Sequence, residues 1–209
     1  MTFYRESFPV GPLGCNCTII GDEVTKQAIV IDPGGDATGI SEKLRLKGYR
    51  LAKIIHTHAH LDHFLAAGEL KAKTGAPLYL HKNDYPLWQN LETQCQLFGI
   101  PFSPVPDPDF WLRDDDALEI ANGVAMHTPG HSPGSMSFWF DQMNLLIAGD
   151  TLFKGSVGRT DLWGGDASLI SKSIKTRLYT LDDDAIVVTG HGPETVIGEE
   201  KKFNAFVTN

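Results

Sequence analysis

The run Thr57-His58-Ala59-His60-Leu61-Asp62-His63 constrains this chain more than any other feature. It places three imidazoles and one carboxylate within His58 to His63, in a chain of 209 residues with 8 histidines in all. An apolar stretch, Leu51 to His56, precedes the run and reads as a buried strand. The fold must therefore end a core strand where four polar side chains gather. All four are good ligands for a cation such as Zn²⁺, or for Fe and Mn. One cation cannot comfortably take every ligand from so short a stretch. The run reads better as parts of two adjacent metal sites, each needing ligands from elsewhere.

Candidates for those ligands lie downstream. His131 sits in Thr128-Pro129-Gly130-His131-Ser132-Pro133-Gly134, a turn between apolar segments. Asp150 closes the apolar strand Leu145-Leu146-Ile147-Ala148-Gly149. His191 follows another short apolar strand, Ala185 to Val188, in Thr189-Gly190-His191-Gly192-Pro193. Each candidate stands where a buried strand gives way to a loop, the place where rigid scaffolds present functional groups.

These blocks together resemble the metallo-β-lactamase superfamily: HxHxDH, then His in TPGHSPGS, Asp in GDTLF, and His in GHG. Within it, the pattern is similar to the glyoxalase II (hydroxyacylglutathione hydrolase) branch. The segment Gly149 to Asp161 looks most like the short bacterial type that lacks a C-terminal helical domain. The resemblance runs from about Val10 to Phe206. It implies an α/β fold, a four-layer αβ/βα sandwich of two mixed sheets with helices outside. It implies two metal ions, zinc above all, with iron or manganese as alternatives. His58, His60 and His131 would hold the first, and Asp62, His63 and His191 the second. Asp150 would bridge them with a water or hydroxide, and Asp62 would also orient that hydroxide. Arg159 would meet an anionic group of the substrate. Two positions where the branch has tyrosines hold Asp161 and Pro193 here.

The order of elements agrees with a layered α/β architecture. Strands are expected at Phe3 to Pro9, Asn16 to Gly21, Gln27 to Ile31, Leu51 to His56 and Leu78 to Leu80. Helices are expected from the turn at Asp32 to Asp36 through Gly48, over Phe64 to Thr74, and over most of Asp84 to Phe98. The second half repeats the theme, with strands at Ala117 to Ile120, Val124 to His127, Ser135 to Phe140, Asn144 to Ala148 and Ala185 to Val188. Its helices are expected at Ala167 to Tyr179 and Gly198 to Phe206. The Pro- and Asp-rich stretch Pro101 to Asp116 is the expected connection between halves of a single domain, residues 1 to 209.

Composition narrows the partners. A net charge of -8 argues against a nucleic-acid surface, because phosphate contacts need clustered Lys and Arg. No apolar run approaches the roughly 20 residues of a membrane span. Met1 to Glu6 shows no signal-peptide pattern, so a cytoplasmic location is expected. Cys15, Cys17 and Cys95 read as small buried hydrophobes in a reducing compartment. His56, His81 and His127 sit at strand ends and read as structural, with His56 in the core or behind a ligand.

The expected chemistry is attack of the bridging hydroxide on a carbonyl carbon, with a metal polarising the oxygen. A thiolate leaves without protonation, since free thiols have a pKa of about 8.5. Thioester hydrolysis is therefore preferred over cleavage of an amide, with S-D-lactoylglutathione or a related glutathione thioester as the small-molecule substrate. An alternative within the superfamily is an Fe(II) persulfide dioxygenase using His58, His131 and Asp150. A phosphodiesterase and a metal-dependent binding domain rank below these.

Overall fold

The stretch Ala28 to Ile31 is apolar and buried throughout, as a strand covered on both faces must be. The computed structural model describes residues 2–207. The chain forms two compact units, one through Trp111 and one from Leu112 onward, dividing inside the expected connection. β1 (Phe3–Val10), β2 (Cys15–Asp22), β3 (Gln27–Ile31), β4 (Arg50–Ile55), β5 (Leu78–His81) and β6 (Phe110–Leu112) form one sheet in that order, all within the first unit except Leu112 at the division. β1, β2 and β3 pair antiparallel, whereas β3, β4 and β5 pair parallel. The parallel pair β3/β4 needs a crossover. It is supplied by α1 (Ala37–Lys47), which is capped by the Asp36 carboxylate and closed by left-handed Gly48. Ile40 and Leu44 of α1 join Val30, Ile54 and Leu70 in the core. The remaining helices of this unit are α2 (Ala67–Thr74), α3 (Tyr85–Gln89) and α4 (Leu91–Phe98).

In the second unit, β7 (Gly123–His127), β8 (Met136–Phe140), β9 (Leu145–Gly149), β12 (Ile186–Thr189) and β13 (Thr195–Val196) form a mixed sheet, ordered β13-β12-β9-β8-β7. β9 and β12 are parallel, and the other pairs are antiparallel. The hairpin β10 (Leu152–Phe153) and β11 (Ser156–Val157) stands apart from that sheet. The helices α5 (Ala167–Ser173) and α6 (Ile197–Phe203) bring Ile170 and Ile197 onto a core with Leu146, Ala148 and Val187.

Several expected elements are shorter than their patterns suggest, each for a local reason. The helix expected from Phe64 starts at Ala67, because Phe64 closes the preceding turn with a non-helical backbone, φ -142° and ψ 5°. The expected strand Ala117 to Ile120 is reduced to a single bridge at Ala117, since Glu119, Ala121 and Asn122 adopt positive φ and turn the chain away. Asp84 to Phe98 breaks into α3 and α4 at Asn90, whose side-chain amide bonds the Pro86 carbonyl at 2.8 Å. The helix from Ala167 passes into a π-turn over Ile174–Leu178. β6 arises within the expected connection, and its short length explains the weak sequence signal.

Candidate metal centre

In the first unit the C-terminal ends of the adjacent parallel strands β3 and β4 deliver the polar groups. β4 leads into the run, where His58 and His63 are buried and Asp62 is 6% exposed. The His58 ring centroid lies 4.8 Å from that of His60 and 4.0 Å from that of His63. His63 Nε2 stands 3.7 Å from Asp62 Oδ2. These four side chains converge within one short stretch because Leu61–His63 forms a tight turn directly after extended His60.

Asp32 directly follows β3, and in the sequence it reads only as part of a turn. Its carboxylate is buried, 1% exposed, and accepts from Thr57 N at 2.7 Å and from Thr57 Oγ1 at 2.6 Å. His63 Nδ1 lies 3.0 Å from Asp32 Oδ2, and His58 Nδ1 lies 3.0 Å from Thr57 Oγ1. The bonding follows from the chemistry of the groups. A carboxylate only accepts, so His63 Nδ1 carries its proton. The Thr57 hydroxyl spends its one proton on Asp32 and therefore accepts from His58 Nδ1–H. One carboxylate thus sets the tautomer of both histidines and leaves each Nε2 as the lone-pair nitrogen, the arrangement a metal ligand needs. Cys15 Sγ touches the same His63 Nδ1 at 3.4 Å, and burial pushes its thiol up to about 12, so it stays neutral there. Gly34 closes the cluster from behind: a Cβ at this position would fall 1.6 Å from the Asp62 carbonyl oxygen.

The second unit repeats the device. β9 and β12 are parallel neighbours, and their C-terminal ends supply Asp150 and, just beyond, His191. The turn between β7 and β8 supplies His131 at the same end, because β8 runs antiparallel to β9. His131 Nδ1 donates to the Arg159 carbonyl at 2.7 Å, which again presents Nε2. Asp150 Oδ2 lies 3.6 Å from His131 Nε2 and 3.8 Å from His191 Nε2. Both spacings exceed a normal hydrogen bond of about 2.7–3.2 Å. Two ligand atoms on one tetrahedral zinc stand about 3.4 Å apart, given bonds of about 2.0–2.2 Å. The donor set therefore fits divalent cations, with one carboxylate oxygen facing histidines on two sides. Gly190 permits the approach, since a Cβ there would lie 1.9 Å from Asp150 Oδ1.

The side chains of Arg159, His56, His81 and His127 fall outside this constellation. Arg159 and Asp161 are exposed and form a two-pronged ion pair, Nε to Oδ1 at 2.7 Å and Nη2 to Oδ2 at 2.8 Å. The guanidinium holds the Asp161 carboxyl down at about 2. His56 is buried, with Nδ1 2.8 Å from the Tyr79 carbonyl and its ring edge-on to Trp88. Burial pushes its pKa down to about 4, which keeps it a neutral core residue. His81 Nδ1 accepts from Asn83 N at 3.4 Å, and His127 Nε2 lies 3.0 Å from the Pro133 carbonyl, bracing the turn that carries His131.

Residues 10–191 match the family model of the metallo-beta-lactamase superfamily. The chain belongs to the metallo-β-lactamase superfamily. Its fold is the α/β fold of that superfamily, with mixed sheets and helices. A relative in Haemophilus influenzae, the hydroxyacylglutathione hydrolase GloC, is 36% identical over 98% of both chains. Among solved structures, the B3 metallo-β-lactamase BLEG-1 superposes with a TM-score of 0.90 at 35% identity, covering 99% of this chain and 100% of that one. TTHA1623, solved in a di-iron-bound form, gives 0.89 at 33% identity, covering 97% and 100%. ETHE1 from Myxococcus xanthus gives 0.73 at 28% identity, covering 98% and 84%. The superfamily binds a binuclear metal, and the neighbouring His and Asp side chains within each unit are of that ligand type. No helix among the described residues is long and apolar enough to cross a membrane.

Proposed function

We propose that this protein is a metal-dependent thioester hydrolase acting on S-D-lactoylglutathione or a related glutathione thioester. His58, His60 and His131 would hold one ion, Asp62, His63 and His191 the other, with Asp150 common to both. The observation that carries the reading is Asp150 Oδ2, placed 3.6 and 3.8 Å from the Nε2 atoms of two histidines assigned to different ions. The likeness to GloC along nearly the whole chain supports the thioester substrate. When bound, the ions supply a hydroxide at neutral pH and polarise the carbonyl oxygen.

The chain's own residues supply position and charge. Asp32 and the Arg159 carbonyl hold imidazoles in the tautomer that presents Nε2. Asp62 lies against His63 and would orient the attacking oxygen. A thiolate leaving group needs no acid, so no proton donor has to be built for it. Arg159 would meet a carboxylate of the glutathione moiety, in competition with Asp161.

Metal analysis and a panel of a thioester, a phosphodiester and a lactam test the proposal. About two ions per chain and thioester cleavage as the main activity are expected. A metal-loaded protein that leaves thioesters intact overturns it. The likeness to ETHE1 favours one competing reading, an Fe(II) persulfide dioxygenase. Oxygen uptake on glutathione persulfide, with a single iron per chain, would establish that reading instead.

A further inference from the structure

The run that carries four proposed ligands leaves the sheet, so its own backbone must find partners elsewhere. Ala59 and Leu61, the residues between the ligands, are fully buried at 0% and 1% exposed. Their N–H and C=O groups have left strand β4, and a buried peptide group without a partner is costly. The partners come from the α3/α4 region. Asp84, itself 0% exposed, accepts from Ala59 N at 3.0 Å. Gln94 Oε1 accepts from Leu61 N at 3.0 Å, and Gln94 Nε2 donates to the Ala59 carbonyl at 3.1 Å and the Leu87 carbonyl at 2.8 Å.

The pattern of these bonds is informative. In a parallel ladder, one residue donates to the carbonyl before its partner and accepts from the N–H after it. The Gln94 carboxamide does this around His60, donating to residue 59 and accepting from residue 61. It behaves as the bonding edge of one residue of a strand that is not there. His60 correspondingly holds extended backbone, φ -74° and ψ 142°. The amide orientation is unambiguous, because a flipped Gln94 would set its oxygen against two carbonyls. Sequence pattern alone would place an apolar residue here, since Leu91, Gln94 and Cys95 form the buried face of α4.

We infer that Gln94 is a positioning residue for the metal centre, its side-chain amide replacing a neighbouring strand opposite His60 and fixing where that ligand points. The inference rests on the proposed binuclear centre but not on the identity of the substrate. Removing the amide should let the backbone at His60 rotate and weaken the ion that His60 holds.

The test uses whole protein, Zn²⁺ competed against a chromophoric chelator, and the visible spectrum of the Co²⁺ form. Gln94→Met keeps length and bulk but none of the three hydrogen bonds; Gln94→Glu adds an acceptor facing the Ala59 carbonyl. Leu91→Ala truncates a buried side chain on the same helix and controls for general loosening. Gln94→Met should lower affinity for one of the two ions by about 10–100-fold and change the Co²⁺ spectrum. Gln94→Glu should do at least as much, and Leu91→Ala should lower Tm with affinity within about threefold of wild type. Wild-type affinity and spectrum in Gln94→Met would overturn the inference, as would an equal affinity loss in Leu91→Ala. Amide exchange at Leu61 in the wild-type apoprotein gives a reading even if the variants do not fold. Slow exchange, like that of the β4 interior, supports the clamp; exchange at the rate of an open loop removes it. A wild type that binds no metal ends both this inference and the proposed function. A wild type that binds metal without cleaving thioesters ends only the substrate assignment.

Discussion

Asp32→Asn separates a tautomer-setting role from a merely structural one. The substitution is isosteric, so the buried site keeps its shape. Oδ1 can still accept from Thr57 N, but the position of Oδ2 becomes an NH₂ that only donates. That NH₂ faces Thr57 Oγ1 at 2.6 Å and His63 Nδ1 at 3.0 Å. His63 can satisfy it only as an acceptor, which moves its proton to Nε2, the nitrogen a cation would need. Thr57 answers by turning its hydroxyl proton toward His58 Nδ1, 3.0 Å away, and reverses that tautomer as well. One atom exchange therefore disables a ligand of each proposed ion. Loss of a partner behind a metal ligand costs about 10–100-fold in affinity, or about 1.4–2.7 kcal/mol per site. Titration of apoprotein with Zn²⁺ against a chromophoric chelator, with far-UV circular dichroism to confirm folding, measures this. Asp32→Ala is the partner variant. It strips three buried donors of their acceptor and should fold less stably, yet it forces no tautomer and should retain more metal affinity than Asp32→Asn. A folded Asp32→Asn protein that binds both ions within twofold of wild type would refute the reasoning.

Other perturbations follow from the same geometry. Asp150→Ala should lose both ions, because its oxygen lies between His131 and His191, whereas His191→Ala should weaken mainly one; metal content after dialysis distinguishes them. Arg159→Ala should raise KM for an anionic thioester more than it lowers kcat, as a remote clamp binds ground and transition states alike. Asp161→Asn should lower KM by freeing the same guanidinium, and unchanged KM in both variants would remove Arg159 from substrate binding. Stability of the apoprotein should also fall with pH through His56. Its pKa is depressed in the fold from 6.5 to about 4, so the unfolded chain takes up the proton first as pH drops below about 6.5. The loss should reach about 3 kcal/mol near pH 4 and be absent above about pH 7. Urea denaturation of His56→Phe against wild type across that range checks it, and parallel profiles would contradict it.

Much of the proposed centre was legible in the sequence because its signals are local. The ligand types, their spacing in His58 to His63, and the apolar strands ending at Asp150 and shortly before His191 are all properties of short stretches. So is the alternation of strands and helices. Elements whose boundaries depend on backbone twists at single residues were read less well, as at Glu119 and Asn122, where positive φ ends a strand that side-chain alternation would continue.

What tertiary structure alone decided is how the proposed ligands are held. Asp32 reads as an ordinary turn aspartate in Asp32-Pro33-Gly34-Gly35, and only the pairing of β3 with β4 brings it to Thr57, 25 residues on. Gln94 reads as a stray polar residue on an apolar helix face until α4 sets it 33 residues back, against Leu61. In the sequence Arg159 reads as a charge, yet its carbonyl is the group that orients His131, 28 residues away. A metal ligand is specified by its own chemistry and can be recognised alone. The group that orients it need only supply one acceptor or donor at the right point, a property that many residues share, so its identity is written in the packing of distant segments.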